Sequence, residues 1–594
     1  MSSTLLSRRD LDFLLHEWLN VSDLTKHPRF RDHSRDTFDA VLEVSEKLAA
    51  REFRTHNRTS DLNEPHFDGT RVHMIPEVRQ ALSAFAESGL LAGTVDEDLG
   101  GIQLPHTVHR ACFAYFQAAN IATSGYPMLS MANANLLIEH GSADQVREYV
   151  IPLLEGRFFG TMCLSEPHAG SSLADVTTRA RPDGDGRHRL FGQKMWISGG
   201  DHELGENIVH LVLARVDGAK PGVKGLSLFI VPKFLGTDDG GRERNDVALA
   251  GLNHKMGWRG ITNTLLSFGE GSFRPTGESG AVGYLVGEEN RGLEYMFHMM
   301  NEARIGVGAG AAALGYTGYL EALEYARTRP QGRLPGHKDP SSPQVPIIEH
   351  PDVRRMLLAA KSYAEGAMAL VLYAAKLLDE STVLEDPAAR AEAGRLLDVL
   401  TPIVKSWPSQ WCLRANDLSI QVHGGAGYTR DHNVEQFYRD NRLNPIHEGT
   451  HGIHGLDLLG RKVVMDSGAG LDLLVARMRQ AIDTAPDDLI PWAGQLSARV
   501  DRLVTVTAAL WRDGDAELAL SNATLYLEAV GHIVIAWLWL EQAGLAVGET
   551  GTFYAGKLAA ARYFFTYELP RVDAQLDLLA ERDRMLLDLD PHVL

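Results

Sequence analysis

Apolar residues recur at spacings of three and four through DFLLHEWL (12–19) and FDAVLEVSEKLAAREF (38–53), the period that lines one face of an α-helix. Residues 133–140 and, past Gly141, 143–154 keep that period. Near residue 160 it becomes strand-like. FFGTMCLSEP (158–167), RLFGQKMWIS (189–198), NIVHLVLARV (207–216) and GLSLFIVP (225–232) are short, rich in β-formers and bounded by PDGDG and DGAKPG turns. NTLLSFGE (263–270) closes the series, and the set predicts an antiparallel β-domain or small barrel. From Glu288 the helical period returns and holds. A long helix over 292–329 has a centre of small residues (Gly306, Gly308, Gly310 and Ala311 to Ala313) that would admit another backbone or a ligand. A Pro/Gly-rich connection at 329–351 is too long for a plain bundle loop. Helices follow over 352–381 and 388–422, and 466–594 reads as an added helical domain. The chain is therefore α+β and multidomain: helical 1–158, β 159–285, helical 286–465 and a further helical domain 466–594.

Length agrees with that division, since 594 residues correspond to roughly three or four domains. A hydrophobic share of 44% beside 23% charged residues leaves ample core. The net charge of −19 argues against a nucleic-acid partner, whose phosphates require clustered Lys and Arg. Three scattered cysteines, Cys112, Cys163 and Cys412, make neither a disulfide framework nor a four-thiolate metal site, and they suit a reducing compartment. The N-terminal residues meet acidic side chains too early for a signal peptide. IVIAWLWL (533–540) ends at Glu541, short of the ~18–20 apolar residues of a membrane helix, and reads as a buried helix or a subunit contact. The expectation is a soluble, cytoplasmic protein without an integral membrane segment.

Three stretches carry candidate chemistry. In PIHEGTHGIHG (445–455), His447, Glu448 and His451 spell H-E-x-x-H, which on a helix sets two imidazoles on one face for zinc and a glutamate beside them. The same letters contain a lone carboxylate in a Glu-Gly-Thr turn. Pro445 and Gly449 weaken the helix that the zinc arrangement needs, Gly costing roughly 1 kcal/mol against Ala. His454 could serve as a third ligand, so a zinc hydrolase stays open at this point. MCLSEPHAGSSLADV (162–176) supplies hydroxyls and backbone N–H groups at a strand end, enough to cradle a phosphate or to form an ordinary Ser/Gly loop. In KMWISGG (194–200), Trp196 and Ser198 offer a flat apolar face and a hydroxyl, or a core tryptophan.

Together these motifs resemble the acyl-CoA dehydrogenases, over almost the whole chain. Residues 165–171 resemble that family's Thr/Ser-Glu-Pro-x-Ala-Gly-Ser segment and 196–198 its Trp-Ile-Thr/Ser segment. HKMGWRGITNTLLSF (254–268) and LVGEENRGL (285–293) look like its later β-domain motifs, and GGAGYTRDHNVEQFYRD followed by IHEGT like its C-terminal signature. The tail beyond 465 is similar to that of the larger bacterial members, which act on fatty acyl-CoAs or 3-methylmercaptopropionyl-CoA.

The resemblance implies an N-terminal α-domain, a middle β-domain and a C-terminal four-helix bundle, FAD as cofactor, and α,β-dehydrogenation of an acyl-CoA to the enoyl-CoA. No metal is implied. Such chemistry needs a general base tuned upward by a dry site, and Glu448 matches it. By resemblance, Leu164 and Ser165 touch the flavin edge, Trp196 and Ser198 pack on and hydrogen-bond the flavin, and Ser171 lies between flavin and CoA phosphates. Gln421, Gly424 and Gly425 contact the adenosine half, Thr450 anchors the cofactor, and Arg329 reaches a neighbouring subunit's FAD. Asn301 and Arg304 meet CoA, and Gly449 leaves room for the thioester. A homodimer passing electrons to an electron-transfer flavoprotein is implied, with an oxidase of the same fold as the variant reading. The chain departs from the pattern at His447 (usually Tyr), His168, Ser172, Gly452 and the Arg329-Pro330-Gln331 run.

Overall fold

The computed structural model describes residues 5–184, 186–237, 239–336 and 339–594; His337 and Lys338 of the long connection lie outside the described residues. The chain falls into two compact units. One comprises 1–39, 105–118 and 304–594, the other 40–104 and 119–303, so the predicted N-terminal helical block contributes segments to each.

In the second unit an eight-stranded sheet forms the core. Its strands are β1 (Phe158–Cys163), β2 (Arg179–Pro182), β3 (Arg187–Ser198), β4 (Asn207–Val216), β5 (Leu226–Pro232), β6 (Val247–Leu252), β7 (Asn263–Phe268) and β8 (Ala281–Val286). They lie in the order β6-β7-β3-β8-β5-β4-β1. β2 pairs antiparallel with β3 and parallel with β4, closing β3, β8, β5, β4 and β2 into a small barrel.

Two expectations need correction. The sheet is mixed rather than purely antiparallel, because β1 and β2 both run parallel to β4. Parallel pairing requires a long crossover, and the chain between β1 and β4 is long enough to provide one. The series also does not end at β7. β8 inserts between β3 and β5, and Gly283 interrupts its short apolar run where a Cβ would meet Leu190 at 2.6 Å.

Helix α1 (Ile121–His140) begins well before the residue-133 start expected from periodicity. Its first half is buried nearly all round, so no polar face marks it. It docks on the sheet through Asn133, whose Nδ2 donates to the Thr161 and Val209 carbonyls at 3.3 and 3.0 Å. Gly160 permits this contact, since a Cβ there would lie 2.5 Å from the Asn133 side chain.

In the first unit, α2 (Gly292–Thr328) from residue 304 on, α3 (Pro351–Val383) and α4 (Pro387–His423) form a helical bundle completed by α5 (Val434–Asn441). The small residues of α2 admit a backbone: a Cβ on Gly308 would sit 2.1 Å from the Val404 carbonyl oxygen, and one on Gly315 would sit 2.6 Å from Cys412. The long connection is zipped at its base, with Gln331 N–H donating to Val345 O at 2.9 Å and Ile347 N–H to Arg329 O at 2.8 Å. α7 (Ala523–Ala546) of the C-terminal block is long and apolar enough to cross a membrane, yet 83% of its most apolar stretch is buried inside the protein. It packs on α3 and α4, with Gly531 against Trp407 and Trp539 Nε1 donating to Ser362 O at 3.3 Å. The buried-helix reading of 533–540 therefore holds.

Candidate active site

α5 hands the chain to a compact turn in which Glu448 (φ 52°) and Gly449 (φ 93°) are both left-handed. α6 (His451–Asp457) then starts, capped by Thr450 Oγ1, which accepts from Ile453 N–H at 3.3 Å. The helix thus begins after His447 and Glu448, and the H-E-x-x-H residues do not share a helix face. The three imidazoles go separate ways. His447 Nε2–H donates to Asn444 Oδ1 at 3.0 Å, His451 Nδ1 bonds Ser406 Oγ at 2.8 Å, and His454 Nε2–H donates to the Glu448 carbonyl at 3.0 Å. The zinc arrangement is not formed.

A buried amide ladder holds the residue before Glu448. Asn416 Nδ2 donates to Leu314 O of α2 at 2.9 Å, Asn441 Nδ2 to Asn416 Oδ1 at 2.7 Å, and Asn444 Nδ2 to Asn441 Oδ1 at 2.9 Å. His447 sits on its last rung. On the other side, Gly449 admits no side chain: its φ is left-handed and a Cβ would meet His454 Nε2 at 2.7 Å. The glycine is thus explained by the turn itself, whatever room it leaves for a ligand.

Electrostatics single out the carboxylate. Burial raises Glu448 above the ordinary carboxylate range, while Arg304 and Lys405 act in the opposite direction. Lys405, wholly buried on α4, donates from Nζ to the Gly449 carbonyl. Burial pushes its ammonium down to about 7, against the pull of Glu448. His447 and His454 are pushed down to about 3 and His451 to about 4, chiefly by burial, so all three are neutral at pH 7. Arg304 is buried and faces Asp457 at 3.9 Å. Lys405 escaped sequence reasoning, although a lone lysine in the apolar helix run LTPIVKSWP was a signal of a buried charge.

Elsewhere in this unit, Gln421, Gly424 and Gly425 sit exposed at the C-terminal end of α4, and a Cβ on either glycine would meet nothing within 4 Å. Arg329 is exposed just beyond the end of α2. These two helix ends meet, Tyr325 stacking on His423 at 4.3 Å.

The second unit gathers Leu164, Ser165, Trp196 and Ser198 at one end of the sheet. Met195 N–H donates to Ser165 O at 3.0 Å, and Asn263 Nδ2 donates to Ser198 Oγ at 3.3 Å. Trp196 is no core residue: it is 60% exposed and left-handed at φ 65°, beside a register shift between β3 and β7. An exposed indole in such a conformation stores about 1–3 kcal/mol of backbone strain at this end of the sheet.

The loop after Ser165 is clamped from below. Glu166 pairs with buried Lys194 at 3.0 Å and accepts from the Thr177 and Thr178 backbones, both at 2.9 Å. Burial alone would raise its carboxyl, yet Lys194 and these donors bring it to about 2. Ser171 is exposed on the loop above the clamp, and Asn301 is half-buried near the end of the same unit.

Comparison with known proteins gives four consecutive matches. Residues 37–157, 161–270 and 290–463 match the acyl-CoA dehydrogenase N-terminal, middle and C-terminal domains, and 474–590 match a domain described as acetyl-CoA dehydrogenase C-terminal like. The chain is 33% identical to the broad-specificity linear acyl-CoA dehydrogenase of Mycobacterium tuberculosis, over 98% of both chains. It is also 33% identical to the 3-methylmercaptopropionyl-CoA dehydrogenase of Ruegeria pomeroyi, again over 98% of both. Among solved structures, an acyl-CoA dehydrogenase complexed with FAD from Bacillus anthracis superposes with a TM-score of 0.74 at 19% identity, covering 99% of this chain and 95% of that one.

Proposed function

This chain belongs to the acyl-CoA dehydrogenase family, and on that premise we propose that it takes a linear acyl-CoA to the trans-2-enoyl-CoA with Glu448 as the base. The observation that carries this is the Glu448 carboxylate. It is held in a left-handed turn, raised by burial, and has two buried cations as its charged neighbours. A thioester α-proton is only weakly acidic, so the base must be stronger than an ordinary carboxylate yet still ionised near neutral pH. Burial supplies the strength, and Lys405 and Arg304 preserve the charge. The Glu448 backbone N–H is the donor that the developing enolate oxygen needs.

The residues fit FAD. Within the second unit, the exposed Trp196 indole offers a face for a flat ring and Ser165 and Ser198 add hydroxyls at the same sheet end; within the first unit, taken by itself, the open Gly424–Gly425 backbone allows close approach of a polar group. When bound, FAD supplies the hydride acceptor for the β-hydrogen. Arg329, Gln421, Ser171 and Thr450 complete the cofactor contacts in this reading, and Asn301, Arg304 and Gly449 the substrate side. Two of the full-length relatives, whose names specify linear acyl-CoAs and 3-methylmercaptopropionyl-CoA, support a straight-chain substrate of low branching. Family membership supports a homodimer reoxidised by an electron-transfer flavoprotein. Three buried free cysteines support a reducing, cytoplasmic setting.

Anaerobic titration with straight-chain acyl-CoAs of increasing length tests the reading. The yellow protein should bleach with at least one of them, and Glu448→Gln should keep its FAD while losing bleaching by about 10³-fold or more. Full bleaching by Glu448→Gln would remove the carboxylate from the reaction.

A further inference from the structure

Lys405 is a wholly buried charge beside Glu448. It lies on α4, in a stretch whose neighbours Ile403, Val404 and Trp407 are all buried core. An ammonium placed there loses its hydration, which is costly unless a fixed partner repays it. The partner is the carbonyl of Gly449, the residue immediately after the base. That carbonyl follows two consecutive left-handed residues, a geometry that nothing in local sequence preference would hold for Glu448. His454 bonds the preceding carbonyl, that of Glu448, at 3.0 Å. The two carbonyls flanking Gly449 are therefore each gripped by a buried side chain.

Two charged groups act on the Glu448 carboxylate, Arg304 from α2 and Lys405 from α4. Around them stand His447 in the same turn and, on α6, His451, His454 and Asp457, with Arg442 acting on His451. The three imidazoles are neutral, and Asp457 faces Arg304. Lys405 is therefore the positive charge not already turned toward another carboxylate.

We propose that Lys405 is a positioning residue for proton abstraction: its ammonium fastens the Glu448–Gly449 turn through the Gly449 carbonyl and keeps the neighbouring carboxylate charged in its dry setting. The proposal rests on Glu448 being the base. It places two roles, tether and charge, in one side chain, and they separate experimentally. Lys405→Gln keeps a donor for Gly449 and loses the charge. Lys405→Met loses both, and Lys405→Arg keeps both.

The test is the pH profile of anaerobic flavin reduction by a straight-chain acyl-CoA. It is measured beside FAD content, melting temperature and a difference-infrared titration of the Glu448 carboxylate, assigned by its loss in Glu448→Gln. In Lys405→Met and Lys405→Gln the limb that rises as the base ionises should move to higher pH by roughly one unit, a tenfold slowing on the acid side. The infrared titration should move with it. Lys405→Met alone should also lower the pH-independent plateau, through the loosened turn, and Lys405→Arg should restore the limb. An unmoved limb and carboxylate titration in Lys405→Gln would overturn the charge role, and equal plateaus in Lys405→Met and Lys405→Gln would overturn the tether. If Lys405→Met fails to fold, Lys405→Gln and the infrared titration still decide the charge. Bleaching retained by Glu448→Gln would instead sink the base itself, a separate outcome.

Discussion

At the scale of single residues, the candidate site depends on charges whose partners are fixed by hydrogen bonds. Glu166 under the Ser165 loop shows how. Its side chain is 1% exposed, and its carboxylate meets Lys194 and four donors from Thr177 and Thr178. Glu166→Gln leaves Lys194 buried without its counter-charge, so a loss of about 3–5 kcal/mol is expected, measured by denaturant unfolding of that variant against the parent. The sign with pH follows from the depressed carboxyl. Held at about 2 in the folded protein, below its ordinary value, it contributes stability that is present above roughly pH 4 and lost as pH falls toward 2. Glu166→Gln should flatten that part of the stability–pH curve. Glu448 behaves oppositely because burial dominates there, and this contrast between a clamped glutamate and the candidate base was not visible in the letters around them.

At the scale of elements, close packing of α2 on α4 sets where Lys405 and Arg304 stand. The glycines of α2 give the contact its closeness: a Cβ at Gly308 would overlap the Val404 carbonyl at 2.1 Å, immediately before Lys405. Gly308→Ala must part the helices, with an expected cost of about 1–3 kcal/mol from overpacking. Because Val404 adjoins Lys405, the same variant should slow flavin reduction at neutral pH. Unchanged stability and rate would show that the contact tolerates a methyl group. The run of small residues was readable as a close approach, but not whether the visitor would be a backbone or a ligand, since both leave the same signature in sequence.

At the scale of the whole molecule, the C-terminal block is part of the first unit's core. His532 of α7 lies against Trp411 and Trp407, at ring distances of 4.5 and 5.9 Å. From the other end of the chain, Trp18 Nε1 donates to Glu541 at 2.9 Å and Phe13 packs on Phe553 at 5.5 Å. Lys557 is buried between Asp10 and Glu365. A chain ending at residue 465 would uncover Trp407, Trp411 and Tyr363 together and take Lys557 away from Asp10 and Glu365. It is expected to aggregate on expression, as read by size-exclusion chromatography, whereas a soluble, monodisperse yellow product would make the block a separable appendage. Its helical character was legible from the sequence, which left 533–540 as a buried helix or a subunit contact; the packing decided for burial, in a helix otherwise long and apolar enough to cross a membrane.

The sequence by itself determined the succession of helical and strand segments, because side-chain period is a local property. It also determined the family and the candidate base, because Glu448 and the Ser165, Trp196 and Gly424 segments are contiguous motifs. Only the tertiary structure decided that β8 sits in the middle of the sheet, that His447 ends an amide ladder, and that Lys405 fastens the Gly449 carbonyl. These join residues distant along the chain, and the burial that sets their charge exists only once the chain has packed.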